Sequence, residues 1–215
     1  MNRINLSISN TGGDLESHAS IVRKAVNEAE EYAFPKLRID WDIDVLARLV
    51  PKSNAGSGDC VSGHTYEKNL IILNIEEGFK EYEVAEVLVH ELCHAARWGK
   101  NDEWIDTLFD LLIFEGLAVK LAADFIEDKR EHQFYMNTII KRTDSDNEKI
   151  YDSIKNELND NNYDYEAIFI GDGNKMPYWS GYSLGYYLIN KYLEKTGKKI
   201  ENAFADKYSD IKSAL

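Results

Sequence analysis

Two histidines four residues apart, with a glutamate between them, are side chains that could act together in one reactive site. They are His90, Glu91 and His94, in the order His-Glu-Leu-Cys-His. On a helix, residues four apart lie on one face, so both imidazoles can bind the same ion. The pattern is typical of a zinc site in which the glutamate takes a proton from water that the metal activates.

The residues around this motif favour a helix packed inside a domain. Within the segment 83–98, apolar residues recur at helical spacing: Val84, Val87, Leu88, Leu92 and Ala95. Histidines and a glutamate within such a stripe need polar partners, because burying a polar group without one costs free energy. A metal ion would be such a partner, whereas the alternative is a chance match to the motif. By its helical phase Cys93 is a packing residue, with ligation by its thiolate as an alternative.

A single carboxylate in an apolar segment is the candidate for a third ligand. Glu115 lies within residues 111–122, which are otherwise almost all apolar, and a carboxylate there needs a cation or hydrogen-bond donors. A short break after Trp98 would make the helices on either side antiparallel neighbours, which places Glu115 opposite the histidines. The alternative is an ion pair of Glu115 with Lys120 or Arg97.

A glycine and two tyrosines further along the chain are the remaining candidate residues of the site. Gly116 lowers helix propensity by about 1 kcal/mol relative to alanine, which predicts the close approach of another element. Tyr182 and Tyr186 are four residues apart on a predicted helix and share a face. A phenol near zinc can donate to the oxyanion that forms when water attacks a carbonyl. The alternative is that both rings are core or interfacial aromatics, in a chain with 13 tyrosines.

The composition of the chain narrows the class of protein. With 215 residues, of which 44% are hydrophobic, the chain suits one folded domain with a buried core. The formal net charge of −13 argues against a nucleic-acid partner, because an acidic surface repels phosphates. No apolar run is long enough for a transmembrane helix, and residues 1–5 lack the apolar core of a secretory signal. We therefore expect a cytoplasmic protein without a membrane partner.

The order of the predicted elements indicates the fold class. Hydrophobic periodicity predicts strands and helices over these ranges: strands 2–9, 37–50, 61–66 and 69–75, and helices 15–34, 79–98, 103–127 and 180–195. We therefore expect an α+β fold. A small mixed sheet lobe over residues 1–78 precedes a mainly helical catalytic lobe over residues 79–215, within one domain and with the metal site between the lobes.

With His90, Glu91, His94 and Glu115 in place, the sequence resembles the gluzincins, a clan of zinc peptidases. In that clan the third ligand is a glutamate that follows the second histidine, here after 21 residues. The succession His-Glu-x-x-His, Glu-Gly-x-Ala and Gly-Tyr-x-x-Gly-Tyr is similar, more specifically, to a bacterial family of predicted zinc-dependent proteases. The resemblance implies a zincin-like fold, with His90, His94 and Glu115 as ligands of Zn²⁺.

The same resemblance implies roles for other residues. Gluzincin aminopeptidases carry a Tyr-x-x-Gly whose tyrosine stabilises the oxyanion, and residues 182–185 match it, so Tyr182 is the first candidate and Tyr186 the second. The segment by which those aminopeptidases hold a free amino terminus is absent, which favours an endopeptidase. The clan also pairs an extended substrate with an edge strand of the sheet lobe, expected here at residues 69–75.

The sequence is therefore expected to encode a zinc metallopeptidase that acts on a peptide or protein. A zinc-bound water attacks the scissile carbonyl, and Glu91 is the general base. Asp106 and Asp110 are candidates to orient the histidines. Two alternatives are a zinc-binding regulatory module without catalysis and a zinc hydrolase of a non-peptide amide or ester. The presence of Glu91 argues against the first, since a structural zinc site needs no base.

Overall fold

The computed structural model describes residues 3–11, 13–52, 59–127 and 131–215. Its elements, in chain order, are β1 (Ile4–Ser9), a 3₁₀ turn (Glu16–His18), α1 (Ala19–Leu37), β2 (Ile43–Leu49), β3 (Val61–Glu67), β4 (Leu70–Ile75), α2 (Glu81–Lys100), α3 (Leu108–Ile126), α4 (Phe134–Ile140), α5 (Asp144–Ile154), a π-helical turn (Glu166–Ile170), α6 (Ser180–Thr196), α7 (Ile200–Ala203) and α8 (Tyr208–Ala214). A small mixed sheet thus precedes a mainly helical region, and the predicted α+β class is confirmed.

The chain divides into two compact units. The sheet unit comprises residues 1–100 and 124–134, and the helical unit comprises residues 101–123 and 135–215. Helix α3 begins in the helical unit, and its last residues belong to the sheet unit. The lobes predicted over residues 1–78 and 79–215 stay a prediction.

In the sheet unit, four strands lie in the order β1-β2-β4-β3. The pairs β1-β2 and β2-β4 are parallel, and β3 and β4 form an antiparallel pair. Helices α1 and α2 pack against each other and against the sheet. Alternate residues of the two inner strands are buried: Ile43, Val45 and Ala47 in β2, and Ile71, Leu73 and Ile75 in β4. This alternation buries one face of each strand under the helices.

The expected edge strand is a prediction that the structure corrects. Strand β4 lies inside the sheet, because it pairs with β2 on one side and with β3 on the other. Within the described residues, β1 and β3 are the edges. The apolar sequence of β4, Leu-Ile-Ile-Leu-Asn-Ile, suits a strand that is paired on both sides, whereas β3 carries the polar residues of an edge.

Two helix boundaries also differ from the prediction. Helix α1 continues through Pro35 and ends at Leu37, where Arg38 adopts the left-handed conformation. In the last turn, the proline deprives the helix of a single hydrogen bond. Helix α3 begins at Leu108 rather than near residue 103, because Thr107 and Asp110 form a reciprocal capping box.

The helical unit is built around α6. Helix α6 packs against α5, α8 and the π-helical turn. Its buried residues include Leu184, Leu188 and Ile189, and the Ser183 hydroxyl donates to the Asn147 side chain at 2.8 Å. Among the helices that the structure describes, none combines the length and the apolar character needed to cross a membrane.

Candidate metal and active site

Helix α2 presents the two histidines to a common point. The Nε2 atoms of His90 and His94 lie 3.0 Å apart, and the two rings are nearly perpendicular. His94 is 5% exposed and His90 is half-buried. All five apolar residues of the predicted stripe are buried, so the packing of α2 fixes which face carries the imidazoles.

The structure brings the predicted third residue to the same point. One ligand atom from each of His90, His94 and Glu115 lies within 4.8 Å of the others. Two imidazole nitrogens and a carboxylate oxygen are the donor set of catalytic zinc sites with three protein ligands. Two Zn–N bonds of 2.0–2.1 Å at a tetrahedral angle would place the nitrogens about 3.3 Å apart, close to the observed separation. The three residues therefore fit a zinc ion.

The thiol of Cys93 lies outside this group of three residues within the described chain. Cys93 is 1% exposed, and its side chain is not in a disulfide. Its burial agrees with a packing role between the two histidines along the helix.

Glu91 points away from solvent and is held by strand β3. It is 6% exposed. The hydroxyl of Thr65 lies 2.7 Å from Oε2 of Glu91 and 3.0 Å from the main-chain oxygen of the same residue. Neither Thr65 nor its neighbour Gly63 belongs to a sequence motif, so sequence reasoning missed both. A glycine and a threonine two apart on a predicted strand were the only available signal.

Tyr182 lies in an aromatic cluster of the helical unit. Its hydroxyl is 3.1 Å from that of Tyr165, and its ring meets Tyr135 and Phe169 edge-on. Burial, followed by the nearby charge of Glu115, raises the pKa of Tyr182 well above the usual range of a phenol. The phenol therefore stays protonated and able to donate. Sequence reasoning missed Tyr165 and Tyr135, whose contacts to Tyr182 follow no helical spacing.

Tyr186 lies one turn after Tyr182 on α6 and is half-buried. Its position agrees with the predicted shared face. Tyr182 lies close enough to Glu115 to interact with it electrostatically.

Two glycines explain how Glu115 and Tyr182 come near each other. A side chain at Gly116 of α3 would collide with the backbone of Gly185 in α6. A side chain at Gly185 would collide with the carbonyl of Leu112 and the backbone of Gly116. The close approach predicted from Gly116 is therefore confirmed, since the two helices touch backbone to backbone at this crossing.

A buried carboxyl precedes His90 by one helical turn. Glu86 is 1% exposed, and its Oε2 accepts the main-chain N–H of Gln133 at 3.2 Å. The Gln133 side chain donates in turn to the carbonyl of Val61 at 2.9 Å. Burial raises the pKa of Glu86 to about 8, although the hydrogen bond from Gln133 lowers it. The signal that could have identified Glu86 in the sequence is its position four residues before His90, on the same face of the helix.

The two predicted orienting residues lie at the start of α3. The Asp110 carboxylate accepts the N–H groups of Thr107 and Asp106, at 3.0 and 3.3 Å. It therefore caps the helix. Contact of Asp106 or Asp110 with a histidine stays a prediction.

Comparison with known proteins gives one clear result. No curated protein matches the sequence. The family described as "Predicted Zn-dependent protease (DUF2268)" matches residues 22–213, which include the His-Glu-x-x-His, Glu-Gly-x-Ala and Gly-Tyr-x-x-Gly-Tyr segments. The match agrees with a zinc dependence that the group of His90, His94 and Glu115 could support. The chain belongs to this family of predicted Zn-dependent proteases.

Proposed function

We propose that this protein is a zinc metallopeptidase of the gluzincin type that hydrolyses peptide bonds, as an endopeptidase rather than an aminopeptidase. The single observation that carries the proposal is the convergence of His90, His94 and Glu115 in a chain of a protease family. The adjacent Glu91 supplies the base that a purely structural zinc site would not need.

In this proposal His90, His94 and Glu115 hold the zinc ion with three protein ligands. When bound, zinc lowers the pKa of water toward about 7 and polarises the carbonyl of the substrate. His90 is half-buried and His94 is buried, so bulk water competes less for their nitrogens than it would at the surface.

Glu91 acts as the general base and then as the general acid. Its carboxylate takes a proton from the attacking water, and the same carboxyl passes that proton to the leaving amine. A positioned acid–base group of this kind contributes typically about 10²–10⁴ in rate. The low exposure of Glu91 supports this role because water competes little for its oxygens.

Tyr182 donates a hydrogen bond to the oxyanion that forms during attack. Burial raises the pKa of its phenol, which supports this role because a protonated phenol is the donor that an oxyanion needs. Tyr186 is the second candidate for this donor.

Strand β3 is the proposed contact for an extended peptide or protein substrate. It is an edge of the sheet within the described residues and lies against α2, the helix that carries Glu91. An edge strand offers unpaired backbone groups to an extended peptide. The endopeptidase preference and the cytoplasmic localisation rest on the sequence and stay predictions.

Digestion of a peptide library by the zinc-loaded protein tests the proposal, beside a Glu91→Gln control. We expect cleavage by the wild type and a loss of about 10²–10⁴ in the control at unchanged zinc content. Unchanged cleavage in the control would refute the mechanism. Bound zinc without any turnover would favour a regulatory module, and turnover of esters or non-peptide amides alone would favour the third alternative.

Zinc content per chain tests the ligand set before any substrate is known. His94→Ala and Glu115→Ala should each lower zinc content strongly relative to wild type, because each removes one of three protein donors. Glu91→Gln is the matched control that should retain zinc. Full retention of zinc by Glu115→Ala would exclude this carboxylate as a ligand.

A further inference from the structure

Strand β3 turns one face toward helix α2, and Glu91 lies on that face. Val61 and Thr65 are buried, Gly63 is half-buried, and the alternating residues Ser62 and His64 are exposed. Because side chains alternate along a strand, positions 61, 63 and 65 share the face that meets α2. Two of these positions contact Glu91 directly.

Thr65 fixes the Glu91 carboxylate relative to the main chain of helix α2. One hydroxyl lies within hydrogen-bond distance of Oε2 and of the main-chain oxygen of Glu91. Both residues are buried, with exposures of 4% and 6%, so water competes little for this contact. A hydrogen bond to a carboxylate is stronger than a neutral one, and the 2.7 Å distance falls in that short range.

The same hydroxyl can serve both steps of the proposed mechanism. A hydroxyl has one proton to donate and lone pairs to accept. While Glu91 is ionised, Thr65 donates to Oε2. When Oε1 holds the proton taken from water and passes it to the leaving amine, Oε2 still accepts from Thr65. The base therefore gains and loses its proton without changing its hydrogen-bond partner.

Gly63 leaves the space that the Glu91 side chain fills. A Cβ at this position would lie 2.5 Å from Cγ of Glu91 and 2.7 Å from its Oε1. Both atoms belong to a flexible side chain rather than to backbone. An alanine here would therefore displace the Glu91 carboxylate while leaving the strand in place.

We propose that Thr65 and Gly63 are positioning residues for Glu91, the first by holding its carboxylate and the second by leaving room for it. The inference rests on the proposed function of Glu91 as the base. It assigns part of the catalytic geometry to two residues that lie outside the His-Glu-x-x-His motif and outside the proposed set of metal ligands.

Four variants test the inference on a peptide that the wild type cleaves. Thr65→Val keeps the shape of the side chain and removes the hydroxyl, Thr65→Ser restores a hydroxyl, and Gly63→Ala fills the space beside Glu91. Thr196→Val is the control, because it also removes a hydroxyl that donates to a main-chain oxygen, at 2.7 Å in the helical unit. For each variant, kcat, KM and zinc content per chain are measured.

We expect Thr65→Val and Gly63→Ala to lower kcat by about tenfold to a hundredfold, because a misplaced catalytic group can cost up to about 10² in rate. KM and zinc content should stay within about twofold, Thr65→Ser should recover most of kcat, and Thr196→Val should keep it. Wild-type kcat in Thr65→Val would overturn the inference. So would a fall in kcat that follows an equal fall in zinc content.

A double-mutant cycle on the metal-free protein gives a second readout that needs no substrate. The denaturant midpoint is measured for Thr65→Val, for Glu91→Ala and for the double variant. We expect Thr65→Val to lower the midpoint less in the Glu91→Ala background, since the contact to the carboxylate is already lost there while the contact to the main-chain oxygen is present in both backgrounds. Additive shifts would overturn the contact itself. Coupling in a protein that cleaves no peptide would leave the contact standing and refute the proposed function.

Discussion

Glu91 and Tyr182, the two proposed catalytic side chains, have opposite surroundings. Glu91 lies between a helix and a strand of the sheet unit, where a threonine hydroxyl bonds its carboxylate at 2.7 Å. Tyr182 lies in the helical unit among aromatic rings, with another phenol, that of Tyr165, as its hydrogen-bond partner. The first site holds a group that must change its charge, and the second holds a group that must not.

The difference follows from how the groups around each side chain stabilise or oppose its charged form. At Glu91, the Thr65 hydroxyl can donate to Oε2 in either protonation state of the carboxyl. At Tyr182, burial opposes a phenolate and raises the pKa of the phenol. A base needs a partner that suits both of its protonation states, whereas an oxyanion donor needs surroundings that retain its proton. Four substitutions test this contrast.

The largest effect is expected for Tyr182→Phe. Loss of one oxyanion donor costs about 2.7–4 kcal/mol, so kcat should fall by about 10²–10³ while KM and zinc content change little. Steady-state kinetics on a cleaved peptide provide the measurement. Tyr186→Phe is the matched control one turn away, and a larger loss in that variant would transfer the role to Tyr186.

Glu86→Gln should change how stability depends on pH. The pKa of Glu86 is raised to about 8 by burial, so the folded protein keeps a proton that the unfolded chain loses above about pH 4.5. Wild-type stability, relative to the variant, should therefore fall by up to about 1.4 kcal/mol per pH unit between about pH 5 and pH 8.

Urea unfolding of both zinc-free proteins across that pH range measures this difference. The glutamine retains an oxygen that can accept the Gln133 N–H, and the cost of burying its NH2 group where Oε1 has no partner does not change with pH. A difference that stays constant with pH would show that Glu86 ionises freely. The sheet unit would then tolerate charge at Glu86 as well as at Glu91.

Gly185→Ala should disturb helix α6, which carries Tyr182. The added methyl would collide with the carbonyl of Leu112, and overpacking of this kind costs about 1–3 kcal/mol. We expect a lower unfolding midpoint together with a lower kcat, because α6 also carries Tyr182. Gly197→Ala is the control for activity: its positive φ strains an alanine and lowers the midpoint, but its Cβ would meet nothing within 4 Å, so kcat should stay at the wild-type value. Wild-type stability of Gly185→Ala would contradict the backbone contact.

The smallest effect is expected for Tyr165→Phe. It removes the hydroxyl 3.1 Å from that of Tyr182, and a typical hydrogen bond contributes about 0.5–1.5 kcal/mol. The kcat should fall by no more than about tenfold, since the ring of Tyr165 and its stacking on Phe169 remain. A loss as large as that of Tyr182→Phe would make the two phenols one functional pair and weaken the contrast with Glu91.

Local patterns in the sequence predicted much of the fold. They also predicted the three residues that could hold a metal ion together, His90, His94 and Glu115. The apolar stripe around the histidines predicted α2, and the run of residues 180–195 predicted α6, since helical spacing is visible within one segment. The strands predicted over residues 61–66 and 69–75 were also confirmed, as β3 and β4. In each case the signal lies within a few residues of the element that it predicts.

What sequence reasoning missed depends on contacts between distant segments. Predicting the order of the strands requires knowing that β4 pairs with β2, although β3 lies between them in the sequence. The Thr65 contact joins residues 26 apart, and the Tyr165 contact joins residues 17 apart. No periodicity reports such pairs, because periodicity describes the face of one element and not the partner that meets it.

The crossing of α3 and α6 joins two motifs that are far apart along the chain. Gly116 belongs to Glu-Gly-x-Ala and Gly185 to Gly-Tyr-x-x-Gly-Tyr, and each glycine makes room for the backbone that carries the other. The two motifs therefore depend on each other sterically. One extra methyl group at either glycine would displace the helix that carries the other motif.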